Sequence, residues 1–120
     1  SSGGVTMNFT KYAQSRIRSN MTAIQRDSMA YFEGKINAGD TSLENRKNRA
    51  KYLANAYVFD KTKAPIIAER LIQVNFDVNQ IVFQNLLDTK YDCSKKFKNF
   101  KQPVLILQGE NDILSMETAQ

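Results

Sequence analysis

Gln102-Pro-Val-Leu-Ile-Leu-Gln-Gly-Glu-Asn-Asp-Ile-Leu114 decides how this chain is read. Within it, Val104, Leu105, Ile106 and Leu107 form an apolar run too short for a helix, opened by Pro103 and closed by Gly109. Such a run suits a strand buried on both faces, as in a parallel sheet covered by helices. A lone strand of that kind has no home in a small helical domain. It implies a larger α/β body that supplies its neighbours, of which this chain holds a piece.

Upstream, the sequence predicts a mainly α chain: about five helices followed by one core β-strand. Phe9, Tyr12, Ile17 and Met21 recur at helical spacing and predict a first helix from about Phe9 to Ser19. Thr22 and Gln25 form a capping box opening a second, with Ile24, Ser28, Tyr31, Phe32 and Ile36 on one face and Gly39 just past its end. Thr41 and Glu44 suggest another capping box. Behind it, Leu43, Ala50, Leu53, Ala54 and Tyr57 are expected to face inward, with Arg46, Lys47, Arg49 and Lys51 on the solvated side. Pro65 suits the first turn of a fourth helix backed by Ile66, Ile67, Leu71 and Val74. Asp77 and Gln80 open a fifth helix, running through about Asp88, with Val78, Ile81, Val82 and Leu86 sharing a face.

Composition narrows the function classes. The 120 residues are 42% hydrophobic, which argues against disorder, and no apolar run is long enough to span a bilayer. No membrane partner is expected, and the cytoplasm is the default location. Cys93 is the single cysteine and there is no histidine, so neither an intramolecular disulfide nor a Cys/His metal site is expected, and no cofactor is implied. The net charge of +5 is concentrated by Lys90, Lys95, Lys96, Lys98 and Lys101, with Tyr91, Phe97 and Phe100 nearby. No nucleic-acid motif accompanies these lysines, so they read as a solvated connector, with Phe97 and Phe100 packed under the strand.

In an open parallel sheet, functional groups gather beyond the carboxyl ends of the strands. Asp112 lies there, three residues after Gly109. A short carboxylate so placed can orient a histidine that activates a serine. By spacing alone the ordinary-turn reading of Asn111-Asp112 comes first, because both residues favour turns through local hydrogen bonds.

Pro103-Val-Leu-Ile-Leu-Gln-Gly109-Glu-Asn-Asp112 resembles the late strand and acid loop of the α/β-hydrolases, in which the aspartate of Gly-x-x-Asp is the acid of the catalytic triad. On that resemblance, residues 1–6 are the remnant of a loop leaving a core strand and 7–90 are a helical cap. Residues 91–101 reconnect to the core, and 102–120 hold the core strand, the acid loop and the start of a helix. The helical pattern and Lys63-Ala-Pro-Ile-Ile-Ala-Glu-Arg70 resemble the cap of proline iminopeptidase-like hydrolases, whose acidic cap residues hold a substrate's free amino group. The resemblance thereby implies Glu33, Glu44 and Glu69 as candidate substrate contacts, and Asp112 as triad acid.

The departures weigh as much. The family places its serine on Gly-x-Ser-x-Gly and uses a histidine base, and this sequence has neither. Cys93 has no histidine to pair with and reads as an inert thiol. The expectation is therefore a cap and acid-loop fragment of a serine hydrolase acting on a small ester, amide or peptide substrate, not competent alone. Its unpaired strand 104–107 would be prone to self-association. Two other classes remain open: a helical protein-interaction domain and, behind it, a basic nucleic-acid binder.

Overall fold

The computed structural model describes residues 4–115. Five α-helices follow in order: α1 (Phe9–Ser19), α2 (Ala23–Asn37), α3 (Leu43–Tyr57), α4 (Ala64–Ile72) and α5 (Phe76–Asp88). Short 3-10 turns lie at Lys61–Lys63 and Ser94–Phe97. The chain divides into two compact units, one formed by Arg16–Asn75 and the other by the residues before and after it.

The Arg16–Asn75 unit is built around α3, which packs against both α2 and α4. Its register is set at the helix ends. Thr22 Oγ1 accepts from the Gln25 N–H at 3.2 Å while Gln25 Oε1 accepts from the Thr22 N–H at 2.9 Å, so the expected capping box opens α2. Arg26 donates to the carbonyls of Arg18 and Met21 at 3.1 and 2.7 Å, tying the start of α2 to the last turn of α1 and the link between them. Gly39, at φ +100°, ends α2 in the left-handed conformation that a side chain would strain.

The start of α3 differs from the expected Thr41–Glu44 box. Ser42 is its N-cap, its hydroxyl accepting from the Asn45 N–H at 3.4 Å. The shift has a local cause: Asp40 accepts from the Ser42 N–H, and the Asn45 amide donates to the Asp40 carbonyl, which fix the turn one residue later. Asn45, one of the partners in that turn, is buried.

Small side chains make the core. Ala50, Leu53, Ala54 and Ala56 of α3 are buried with Met21 and Ala64, and Ala54 is fully enclosed. Leu43 and Tyr57, expected inward, are instead exposed, because they are the terminal residues of α3, outside the stretch its neighbours cover. Ile24 and Tyr31 of α2 and Ile66 of α4 are likewise exposed. Of the α3 residues assigned to solvent, Arg46 and Arg49 are only partly exposed. Pro65 occupies the first turn of α4 as expected.

In the other unit, an isolated antiparallel bridge joins Thr6 to Asp92, and the Cys93 N–H donates to the Val5 carbonyl at 2.8 Å. Helix α5 has no buried residue, although its apolar pattern fits the expectation; Ile81 is 69% exposed.

The core strand expected at 104–107 is absent among the described residues. Leu105 and Leu107 are each 82% exposed, and no ladder engages the run. A strand exists only through its pairing, and the described residues offer this run no neighbour. Phe97 and Phe100 do not pack beneath it. They meet each other edge to face, centroids 6.3 Å apart, and both remain about half exposed. The helix start expected near the C-terminus falls beyond Ser115, and residues 1–3 of the N-terminal loop also lie outside the described residues.

Candidate functional site

Asp112 closes a turn. Its N–H donates to the Gly109 carbonyl at 3.1 Å, and its Oδ1 accepts from the Leu114 N–H at 3.1 Å. A Cβ at Gly109 would lie 3.9 Å from the Asp112 Cβ, an ordinary contact, so the space around the turn does not itself require glycine. Carboxylate-to-backbone bonds spanning two residues recur at Asp40–Ser42, Asp60–Thr62 and Asp92–Ser94. In those three turns the hydrogen bonds from the residue two positions on hold the aspartate below the usual carboxylate range. Asp112 thus sits in the local geometry that its Asn-Asp sequence favours.

The three glutamates have separate roles. Glu33 on α2 takes two hydrogen bonds from Arg49 on α3, from Nη2 at 2.9 Å and from Nε at 3.3 Å, both onto Oε1. That forked pair ties the two helices together. Glu44 is exposed in the first turn of α3, where a negative charge complements the helix dipole. Glu69 lines a cavity that the described residues form.

That cavity is an open groove of about 740 Å³ within the Arg16–Asn75 unit. Along α3 it is bordered by Lys47, Lys51 and Asn55, one face at four-residue spacing, and across from them by Ala64, Pro65, Ala68, Glu69, Ile72 and Gln73. Lys61 lies at its end, its ammonium donating to the carbonyls of Asn55 and Val58 at 2.6 and 2.9 Å, so it caps the C-terminus of α3 as well as charging the groove. Three lysines against one glutamate leave the groove cationic. The signal was present in the sequence as Lys47, Lys51 and Lys61, but the first two read as a solvated face because the position of α4 was unknown.

A second, smaller cavity of about 330 Å³ lies at the Thr6–Asp92 bridge, with Met7, Leu87 and Tyr91 among its walls. The hydrogen bond between Tyr91 and Cys93 raises the Tyr91 phenol above its ordinary value. Among the described residues, no group of three or more His, Cys, Asp or Glu side chains is placed to hold a metal ion, and no helix is long and apolar enough to cross a membrane. The lysines from Lys90 to Lys101 are all exposed. Comparison with known proteins finds no matching family model, no similar curated protein and no similar solved structure.

Proposed function

We propose that the chain is the helical cap and acid-bearing loop of a serine hydrolase of the α/β-hydrolase class, whose complete form cleaves an ester, amide or peptide bond through an acyl-enzyme. The observation that carries this reading is the Thr6–Asp92 bridge, made in part by the Cys93–Val5 hydrogen bond. It brings the two ends of the helical stretch side by side, as the ends of a block inserted between two core strands must be. Two further features support it. The apolar run 104–107 is exposed and unpaired, as a core strand without its sheet would be, and α5 likewise leaves its apolar residues uncovered.

In this reading Asp112 holds the histidine of the triad in its productive tautomer and stabilises the imidazolium. The bond from the Leu114 N–H fixes the carboxylate through Oδ1, and an ionised carboxylate has acceptor capacity to spare for an imidazole. The cap helices govern access and substrate size more than bond-breaking. In the isolated chain, the 104–107 run is an association-prone edge.

The encoding reading frame tests this directly. It should carry a strand and Gly-x-Ser-x-Gly before Ser1 and a histidine after Gln120. The full product should label with a fluorophosphonate probe, and Asp112→Asn should slow turnover on the order of a thousandfold or more. A frame encoding neither serine elbow nor histidine sinks the reading.

A further inference from the structure

Two surfaces of the described residues stand out. One is the α3–α4 groove, where Pro65, Ala68 and Ile72 present apolar side chains opposite Lys47 and Lys51, with Lys61 at the end. The other is α5. At about 100° per residue, Val78, Ile81 and Val82 fall within about 100° of arc. All three are more than half exposed. Asp77 and Asp88 lie within about 40° of Ile81 on its outer side. Helix α5 contains those two acids and no basic residue. Each surface is therefore an apolar stripe edged by charge, and the two charges are opposite.

We infer that α5 of one copy of this chain docks in the α3–α4 groove of a second copy. An amphipathic helix laid in an apolar groove anchors through residues at three- and four-residue spacing, which Val78, Ile81 and Val82 supply. The exposed stripe from Val78 to Val82 covers just over one turn of α5, which fits within the roughly two turns of α4 between Pro65 and Ile72 that border the groove. Lys47 and Lys51, one turn apart, then face Asp77, the acid that adjoins the stripe. Such rim charges set register and orientation, while the apolar stripe supplies the burial.

The proposal concerns residues 1–120 as they stand, and does not depend on the identity of any parent enzyme. Sedimentation of the 120-residue chain across a concentration series should show self-association. The pair of substitutions Lys47→Glu and Lys51→Glu should weaken it roughly tenfold or more, and Asp77→Lys in the same chain should restore part of that loss, as expected where Asp77, beside the stripe, is the acid that meets these lysines. Circular dichroism of each variant confirms that its helices persist. Leu105→Lys, which blocks pairing through the exposed 104–107 run, should leave the lysine-sensitive part of the association intact. A chain that stays monomeric overturns the inference, as does association that resists both lysine reversals or vanishes in Leu105→Lys. A monomer leaves the groove to an anionic small molecule, and loss in Leu105→Lys assigns the contact to strand pairing.

Discussion

Helices α3 and α5 invert what their sequences suggest. Leu43–Tyr57 is dense in lysine, arginine and asparagine, yet it contributes Ala50, Leu53, Ala54 and Ala56 to the core. Phe76–Asp88 is rich in valine, isoleucine, leucine and phenylalanine, yet none of its residues is buried. Burial follows from what packs against a helix, and α3 packs extensively against both α2 and α4. Alanine makes that arrangement possible, because a side chain of one carbon lets helix backbones approach closely. The same smallness limits the apolar area each residue removes from water, so the core is modest and its tolerance for added volume is low.

The largest expected difference tests that contrast. Ala54→Asp places an unpaired charge at a fully enclosed site and should cost about 3 kcal/mol or more, read as lost cooperativity in thermal melting. Ile81→Asp on α5, at an exposed site, should change stability within about 0.5 kcal/mol at concentrations where the chain is monomeric. Equal effects at the two positions would break the comparison.

Helix capping sharpens it at the next level. Ser42→Ala should cost about 1 kcal/mol in chemical denaturation, and Thr22→Ala a similar amount, because each hydroxyl accepts a backbone N–H at a helix start. Thr41→Ala should be close to neutral, which distinguishes the observed α3 start from the one-residue-earlier alternative. Weaker still is the pair between Glu33 and Arg49, since the Glu33 side chain is 41% exposed; Glu33→Gln should lose less than about 1 kcal/mol, and less in high salt.

The smallest effect is a dependence on pH. Asp40 and Asp60 titrate lower in the folded chain than their ordinary value, through hydrogen bonds from Ser42 and Thr62. Their contribution is therefore present above the unfolded carboxylate value and is lost as the pH falls through the lowered folded value. Both groups lie at the surface, so the acid-side decline in melting temperature should be shallow. Asp40→Asn with Asp60→Asn should reduce it, leaving the contribution of Asp92, without altering the behaviour of α5.

Local signals in the sequence carried much of the fold. The bounds of α1, the Thr22–Gln25 box and the left-handed Gly39 were legible because each depends on residues within one or two turns. Side-chain periodicity correctly grouped Val78, Ile81 and Val82, but periodicity states which residues share a face and is silent on whether anything covers it. The 104–107 run met the same limit, since a strand is a relation between segments. For the site, the turn at Asp112 was legible and its chemistry was not, because the same short aspartate bond occurs at Asp40, Asp60 and Asp92. Arg49 as the partner of Glu33 was hidden by a separation of 16 residues.

The bridge between Thr6 and Asp92 also has a mechanical consequence. It is a clasp near both flanks of the helical stretch, so tension applied from outside meets this backbone bridge before it reaches the intervening helices. Once the clasp opens, about 300 Å of contour lies between the two points of load. The helical stretch is therefore shielded from pulling by one bridge, and exposed to it all at once when that bridge gives way.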